Sequence, residues 1–133
     1  MQTERSKGVT QTKSTLSFND TVNTIKAQID ELGFKTIADV DHSAAAASVD
    51  LSLLPSRLVI FGKPQGGTPL MQENSLFALD LPLKVLIHSS ENNETFVSYN
   101  TPSELALRHN VDSEHKAITM MQNALAKIVS AVV

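Results

Sequence analysis

The stretch Phe61-Gly62-Lys63-Pro64-Gln65-Gly66-Gly67-Thr68-Pro69-Leu70-Met71 decides how this chain is read. It holds three of the five glycines and two of the five prolines. Glycine loses much backbone entropy on ordering, so such a cluster between apolar segments reads as a loop kept for its geometry. Upstream, the apolar run Leu58-Val59-Ile60-Phe61 within Arg57 to Phe61 lacks polar alternation, as in a central strand. Downstream, Thr68-Pro69 has the form of an N-cap followed by proline at the first helical position. A short helix or two is therefore expected over Leu70 to Leu79.

That loop is a candidate anion site. Gly66 and Gly67 can present successive N–H groups, the helix opening at Thr68 offers its positive end, and Lys63 supplies charge. Neither the Gly-Lys-Ser/Thr ending of a phosphate loop nor the dinucleotide fingerprint is present. The competing reading is a plain strand-to-helix turn, with glycine for reach and proline for stiffness.

On the N-terminal side, Met1 to Lys7 reads as a loose end, followed by a strand somewhere between Gly8 and Leu16. Ser17 with Asp20 resembles a capping box. Val22, Ile25, Ile29 and Leu32 then recur at helical spacing, and Gly33 stands where a left-handed C-terminal cap belongs. Phe34 to Val40 alternates as a strand, and Asp41-His42-Ser43 caps an alanine-rich helix over Ala44 to Val49. On the C-terminal side, Leu83 to His88 and Thr95 to Tyr99 form a hairpin around Asn92-Asn93. A short helical piece starts at Asn100-Thr101-Pro102 and ends near Leu107. The last helix is capped by Asp112 or Ser113, with Ile118, Met121, Leu125, Ile128 and Val132 as its stripe. Met120, Ala124 and Val129 widen that stripe; the plain reading is a helix lying across a sheet, and the sharper one is an extra apolar edge that meets a second subunit.

The 133 residues fit a single domain, 1–133, of α+β class: a mainly antiparallel sheet covered by helices on one face. With five Phe, one Tyr and no Trp, the core must be mostly aliphatic. A net charge of −3 with both signs interspersed speaks against a nucleic-acid footprint. No apolar run approaches the about 20 residues of a membrane span. The absence of cysteine excludes disulfides, thiolate metal sites and cysteine nucleophiles. A cytoplasmic location is the default expectation, subject to a removed export signal.

Four segments, in this order and spacing, carry a resemblance: Asp41-His42-Ser43-Ala44-Ala45-Ala46, Phe61 to Met71, Ala78-Leu79-Asp80-Leu81-Pro82-Leu83, and Val97-Ser98-Tyr99-Asn100. Together they are similar to the bacterial and archaeal family called domain of unknown function 302, over most of the chain. The resemblance implies a curved antiparallel sheet of the TATA-box-binding-protein-like class and a homodimer. It brings no catalytic residues and no cofactor, and a fold of that class does not imply DNA binding.

Two functional readings follow. In the first, the chain is a non-catalytic dimeric domain that binds a small ligand, an anion or a protein partner. Its candidate residues are Lys63, Gly66, Gly67, Thr68, Asp41, His42 and Tyr99. In the second, it is a small enzyme or metal-binding protein in which His42 works with Asp39 or Asp41 and with Tyr99. Simpler roles compete with the second: Asp41 as a helix cap, Asp39 and His42 solvated, Tyr99 packed through its ring. His109 and His115 lack ligand spacing on one helix face, and Ser43, Ser75 and Ser98 lack a nucleophile elbow.

Overall fold

The structure, a computed structural model, describes residues 6–133. The first five residues of the expected loose end lie outside the described residues. Five strands, β1 (Val9–Lys13), β2 (Lys35–Asp41), β3 (Ser56–Gly62), β4 (Leu83–Ser89) and β5 (Thr95–Asn100), form one sheet. Its order is β1-β5-β4-β3-β2, and every neighbouring pair is antiparallel. The helices are α1 (Phe18–Glu31), α2 (His42–Ala47), α3 (Pro64–Glu73), α4 (Pro102–Arg108) and α5 (Lys116–Ser130), with a 3-10 helix over Ser75–Asp80.

Alternation along the strands divides the sheet into two faces. Val59, Phe61, Leu83, Val85, Ile87 and Val97 point to the helices and are buried with Ile25 and Ile29 of α1 and Leu125 and Ile128 of α5. Burying such a side chain stabilises by about 1.5–3 kcal/mol, so this layer supplies most of the cohesion. Val40, Leu58, Ile60, Leu86 and Phe96 occupy the opposite face and lie outside that core.

Local chemistry explains the element ends. Ser17 accepts the Asp20 N–H at 3.1 Å and starts α1. At its other end Gly33, at φ 84°, donates to the Asp30 carbonyl, and Phe34 donates to that of Ile29. This pair of bonds needs a left-handed residue, which glycine adopts without penalty. In the β4–β5 hairpin, Asn93 takes φ 61° and donates to the Ser90 carbonyl at 3.0 Å.

The central stretch departs from the sequence expectation. Residues 62–69 are not a loop: β3 runs to Gly62, and α3 begins immediately at Pro64. Lys63 takes the N-cap position without a side-chain cap, and Pro64 provides the first helical residue. Gly66, Gly67, Thr68 and Pro69 are therefore inside the helix, and Thr68 caps nothing. Pro69 is tolerated because the carbonyl left without a donor, that of Gln65, sits in the exposed first turn where water reaches it. Leu70, fully buried, anchors the segment. Three smaller corrections have local causes. β1 is confined to Val9–Lys13, because Ser14 turns inward to Thr21 at 2.7 Å. α2 starts at His42 rather than Ala44, since Asp41 is already its N-cap. α5 is capped by His115, whose Nδ1 accepts the Ala117 N–H at 3.0 Å, and not by Asp112 or Ser113.

The helical placement of Gly66 has a testable consequence. A Cβ added there meets nothing within 4 Å, and its φ is not left-handed. Gly66→Ala is therefore expected to raise the unfolding free energy by about 0.5–1 kcal/mol in urea titrations. A loop glycine with positive φ would give a loss instead.

Candidate functional site

A cavity of about 780 Å³ opens where the far end of β3, the start of α3 and one side of α5 converge. Its floor comes from the sheet and the segment before β4: Phe34, Leu81, Pro82 and Leu83. One wall is α3, with Gly66, Gly67 and Met71; the other is α5, with Ala117, Met120, Met121 and Ala124. Those α5 positions fall at i, i+3, i+4 and i+7, a single helical face. Part of the width of the apolar stripe on this helix borders the cavity, where Met120 stays 56% exposed. Ile118, Leu125 and Ile128 face the core, Val129 is buried, and Met120 and Ala124 face the cavity.

The glycines give the cavity its shape. A Cβ on Gly67 would stand 3.3 Å from Leu81 Cδ1 and 3.7 Å from Met71 Cε. One on Gly62 would stand 3.3 Å from Pro82 Cβ. Their missing side chains let the end of β3 and the first turns of α3 lie close to the segment before β4. The Gly66 N–H donates to the Lys63 carbonyl at 3.0 Å, so it does not take part in an open cradle of amides.

The charges at this cavity have one sign. Lys35, Lys63 and Lys127 line it, and among the described residues no acidic side chain does. None of the three forms an ion pair among the described residues. The Lys63 Nζ lies 4.5 Å from the centroid of the Phe34 ring, a cation–π contact that holds the ammonium at the mouth. Phe34 is in turn braced edge-on by Phe61, with ring centroids 5.3 Å apart.

The Asp39–Asp41–His42 group lies elsewhere. Arg57 grips Asp39 with two bonds, Nε to Oδ1 at 2.9 Å and Nη2 to Oδ2 at 2.6 Å, and Lys26 adds a third at 2.7 Å. The Arg57 hydrogen bonds hold the Asp39 carboxyl down at about 2. A carboxylate so committed to cations is a poor general base at neutral pH. Asp41 accepts the Ala44 N–H at 2.9 Å and the Ser43 hydroxyl at 2.8 Å, and the backbone bond to Ala44 lowers its pKa. His42 is exposed at the start of α2. Tyr99 packs against the core from β5, three strands from β2 in the sheet, or roughly 14 Å at ordinary strand spacing. The structure does not bring Tyr99 to His42, and neither Asp41, His42 nor Tyr99 lines the cavity. Of the sequence candidates, it assembles Lys63, Gly66, Gly67 and Thr68.

The other histidines have structural partners. His109, buried, pairs with Asp80 at 2.6 Å and lies 4.7 Å from the Phe77 ring. His88 contacts Ser98 at 2.8 Å on the uncovered sheet face, where burial lowers its pKa. Among the described residues no cluster of His, Asp or Glu is placed to hold a metal ion, and no helix is long and apolar enough to cross a membrane.

Sequence reading missed Phe34, Lys35, Leu81 and Lys127 as cavity residues. Only the broad α5 stripe signalled a second apolar surface on that helix.

Comparison with known proteins bears on the fold and the family. The crystal structure of an uncharacterised conserved protein from Bacillus stearothermophilus superposes with a TM-score of 0.85, at 17% identity. The match covers 96% of this chain and all of that one, and it shows the same fold. Proteins named fluoride-specific ion channel from Brucella suis and Brucella abortus are each 35% identical over 104 residues, 78% of this chain. The chain spans only 41% and 38% of their respective lengths. The family described as "Domain of unknown function DUF302" matches residues 10–129, nearly the whole chain, and this protein belongs to it.

Proposed function

We propose that this chain is a non-catalytic binding domain, working as a homodimer, whose small ligand occupies the cavity between α3 and α5. The observation that carries the reading is the cavity itself. Its volume of about 780 Å³ lies in the range of small-molecule sites, and its lining is mostly apolar with a few polar groups at the mouth. Lys63, Gly66, Gly67 and Thr68 belong to its wall, which gives the glycine-rich segment a role beyond turning the chain. The enzyme alternative has less support: Asp39 is held by Arg57 and Lys26, Asp41 caps α2, and Tyr99 stands apart from His42. The relatives named as fluoride channels fit a binding module, since there the matched stretch is about two-fifths of a longer chain.

The dimeric part of the reading is supported by a different surface from the α5 edge. Val40, Leu58 and Leu86 are cross-strand neighbours on the sheet face without helices, with Ile60 and Phe96 beside them. Two such faces can stack about 10 Å apart as a sandwich. The connection from α2 to β3 adds exposed Val49, Leu51, Leu53 and Leu54. Apolar surface of this extent marks contact with another protein.

The ligand site is tested with a neutral fluorescent probe, N-phenylnaphthylamine. It is expected to brighten on binding the native protein. Ala124→Trp, which places a large ring inside the cavity, is expected to abolish that signal while leaving the circular dichroism spectrum unchanged. Equal brightening in both proteins would remove the cavity as the site.

A further inference from the structure

We infer that the ligand of this cavity is a single-chain amphiphile with a carboxylate head, a fatty-acid anion in chemistry, held at the mouth by Lys63. This rests on the cavity being a ligand site and adds the class of ligand to it.

Three features of the cavity support that class. The first is the sign of its charges. Three lysines without carboxylate partners among the described residues line a site to which those residues bring no acid, so a cation there is repelled and a neutral molecule leaves them unanswered. The second is the adaptability of its walls. Met71, Met120 and Met121 all line it, and unbranched thioethers repack around chains of differing length and shape better than branched side chains do. The third is the kind of donor at hand. Among the described residues the polar side chains lining the cavity are the three lysines, the Thr68 hydroxyl and the Asn123 amide; no arginine fork lines it, lysine binds an anion as a point charge, and the Gly66 amide is already bonded to Lys63. A phosphate dianion calls on several convergent donors, whereas one carboxylate is met by one ammonium. The Phe34 ring beneath Lys63 limits the wandering of that ammonium, so less side-chain freedom is lost when the head group arrives.

The test is displacement of bound N-phenylnaphthylamine by three molecules with the same ten-carbon tail: decanoate, decanol and decyltrimethylammonium. Decanoate is expected to displace at about one-tenth the concentration that decanol needs, and the ammonium compound to be weakest. Lys63→Met is expected to raise the decanoate requirement about tenfold without changing that of decanol, and Lys63→Arg to restore the preference. Decanol matching decanoate in the native protein would overturn the carboxylate assignment while leaving the cavity a ligand site. Lys63→Met leaving the decanoate requirement unchanged would overturn the role of Lys63. Failure of the probe itself to bind would remove the site, and the inference with it.

Discussion

Replacing Phe61 with alanine is expected to lower the unfolding free energy by about 3–5 kcal/mol. Phe61 stands one residue before the end of β3, is fully buried, pairs across the sheet with Leu83 and Thr36, and meets Phe34 edge-to-face. Truncation removes the transfer energy of a whole ring and leaves a void that its strand neighbours cannot collapse into, because their backbones are fixed by pairing. Against a total of about 5–15 kcal/mol for a domain, the loss is large. It is read from the midpoint shift in urea denaturation, with Leu76→Ala as the comparison. Leu76 is 60% exposed, so its truncation is expected to stay within about 0.5 kcal/mol. The effect of Phe61→Ala should reach the candidate site as well. Phe34 would lose its brace, and Lys63 sits on Phe34. Comparable losses from the two substitutions would contradict the layer arrangement described above.

The second large effect concerns association. The native protein is expected to sediment as a dimer, and Leu86→Glu as a folded monomer. Leu86 stands on the uncovered sheet face between Leu58 of β3 and Ser98 of β5, outside the helix-covered core. Leu86 is half-buried in the monomer, so a glutamate there can still turn its carboxylate to water. In a two-fold interface the change counts twice, placing two unpaired carboxylates in apolar contact. A weakening of at least about a hundredfold follows from roughly 1.4 kcal/mol or more at each copy. A dimer unaffected by Leu86→Glu would move the interface to another surface, with Val49 to Leu54 next in line. A native protein that stays monomeric at high concentration would remove the dimeric part of the reading.

Several parts of this structure were legible because their signals are local. α1 announces itself through Ser17, a clean apolar stripe along its length and Gly33, and the two end signals each act within one turn of the end they define. The β4–β5 hairpin is visible because Asn93 takes the positive φ that asparagine tolerates. The resemblance to the family rested on spaced motifs and extended correctly to the α+β fold. The segment after Phe61 misled for an equally local reason. Two adjacent glycines and an internal proline each disfavour a helix, and together they read as a loop. What overrides them is tertiary. Leu70 is buried in the core, Pro64 starts the helix at a position that suits proline, and the glycines make room for Leu81 and Met71. The His115 cap was missed because histidine is an unusual N-cap and Asp112-Ser113 nearby has the usual chemistry.

The site was half legible for the same reason. Lys63 and the glycines stood out by composition. Phe34, Lys35, Leu81 and Lys127 contribute only because β2, the segment before β4 and α5 meet in space. No spacing rule links positions so far apart. Conversely, Asp39, Asp41 and His42 looked like a site because they are adjacent in sequence. Their partners, Arg57, Lys26 and the Ala44 amide, show a carboxylate held in an ion cluster and a helix cap.

The central claim is that the cavity between α3 and α5 binds a small ligand against its apolar walls, and the methionines report on it directly. The chain has four, and Met71, Met120 and Met121 all line the cavity. Methyl-labelled methionine spectra recorded during titration with decanoate should show those three signals moving together and saturating. Saturable binding of decanoate that leaves all three methyl signals in place would contradict the claim.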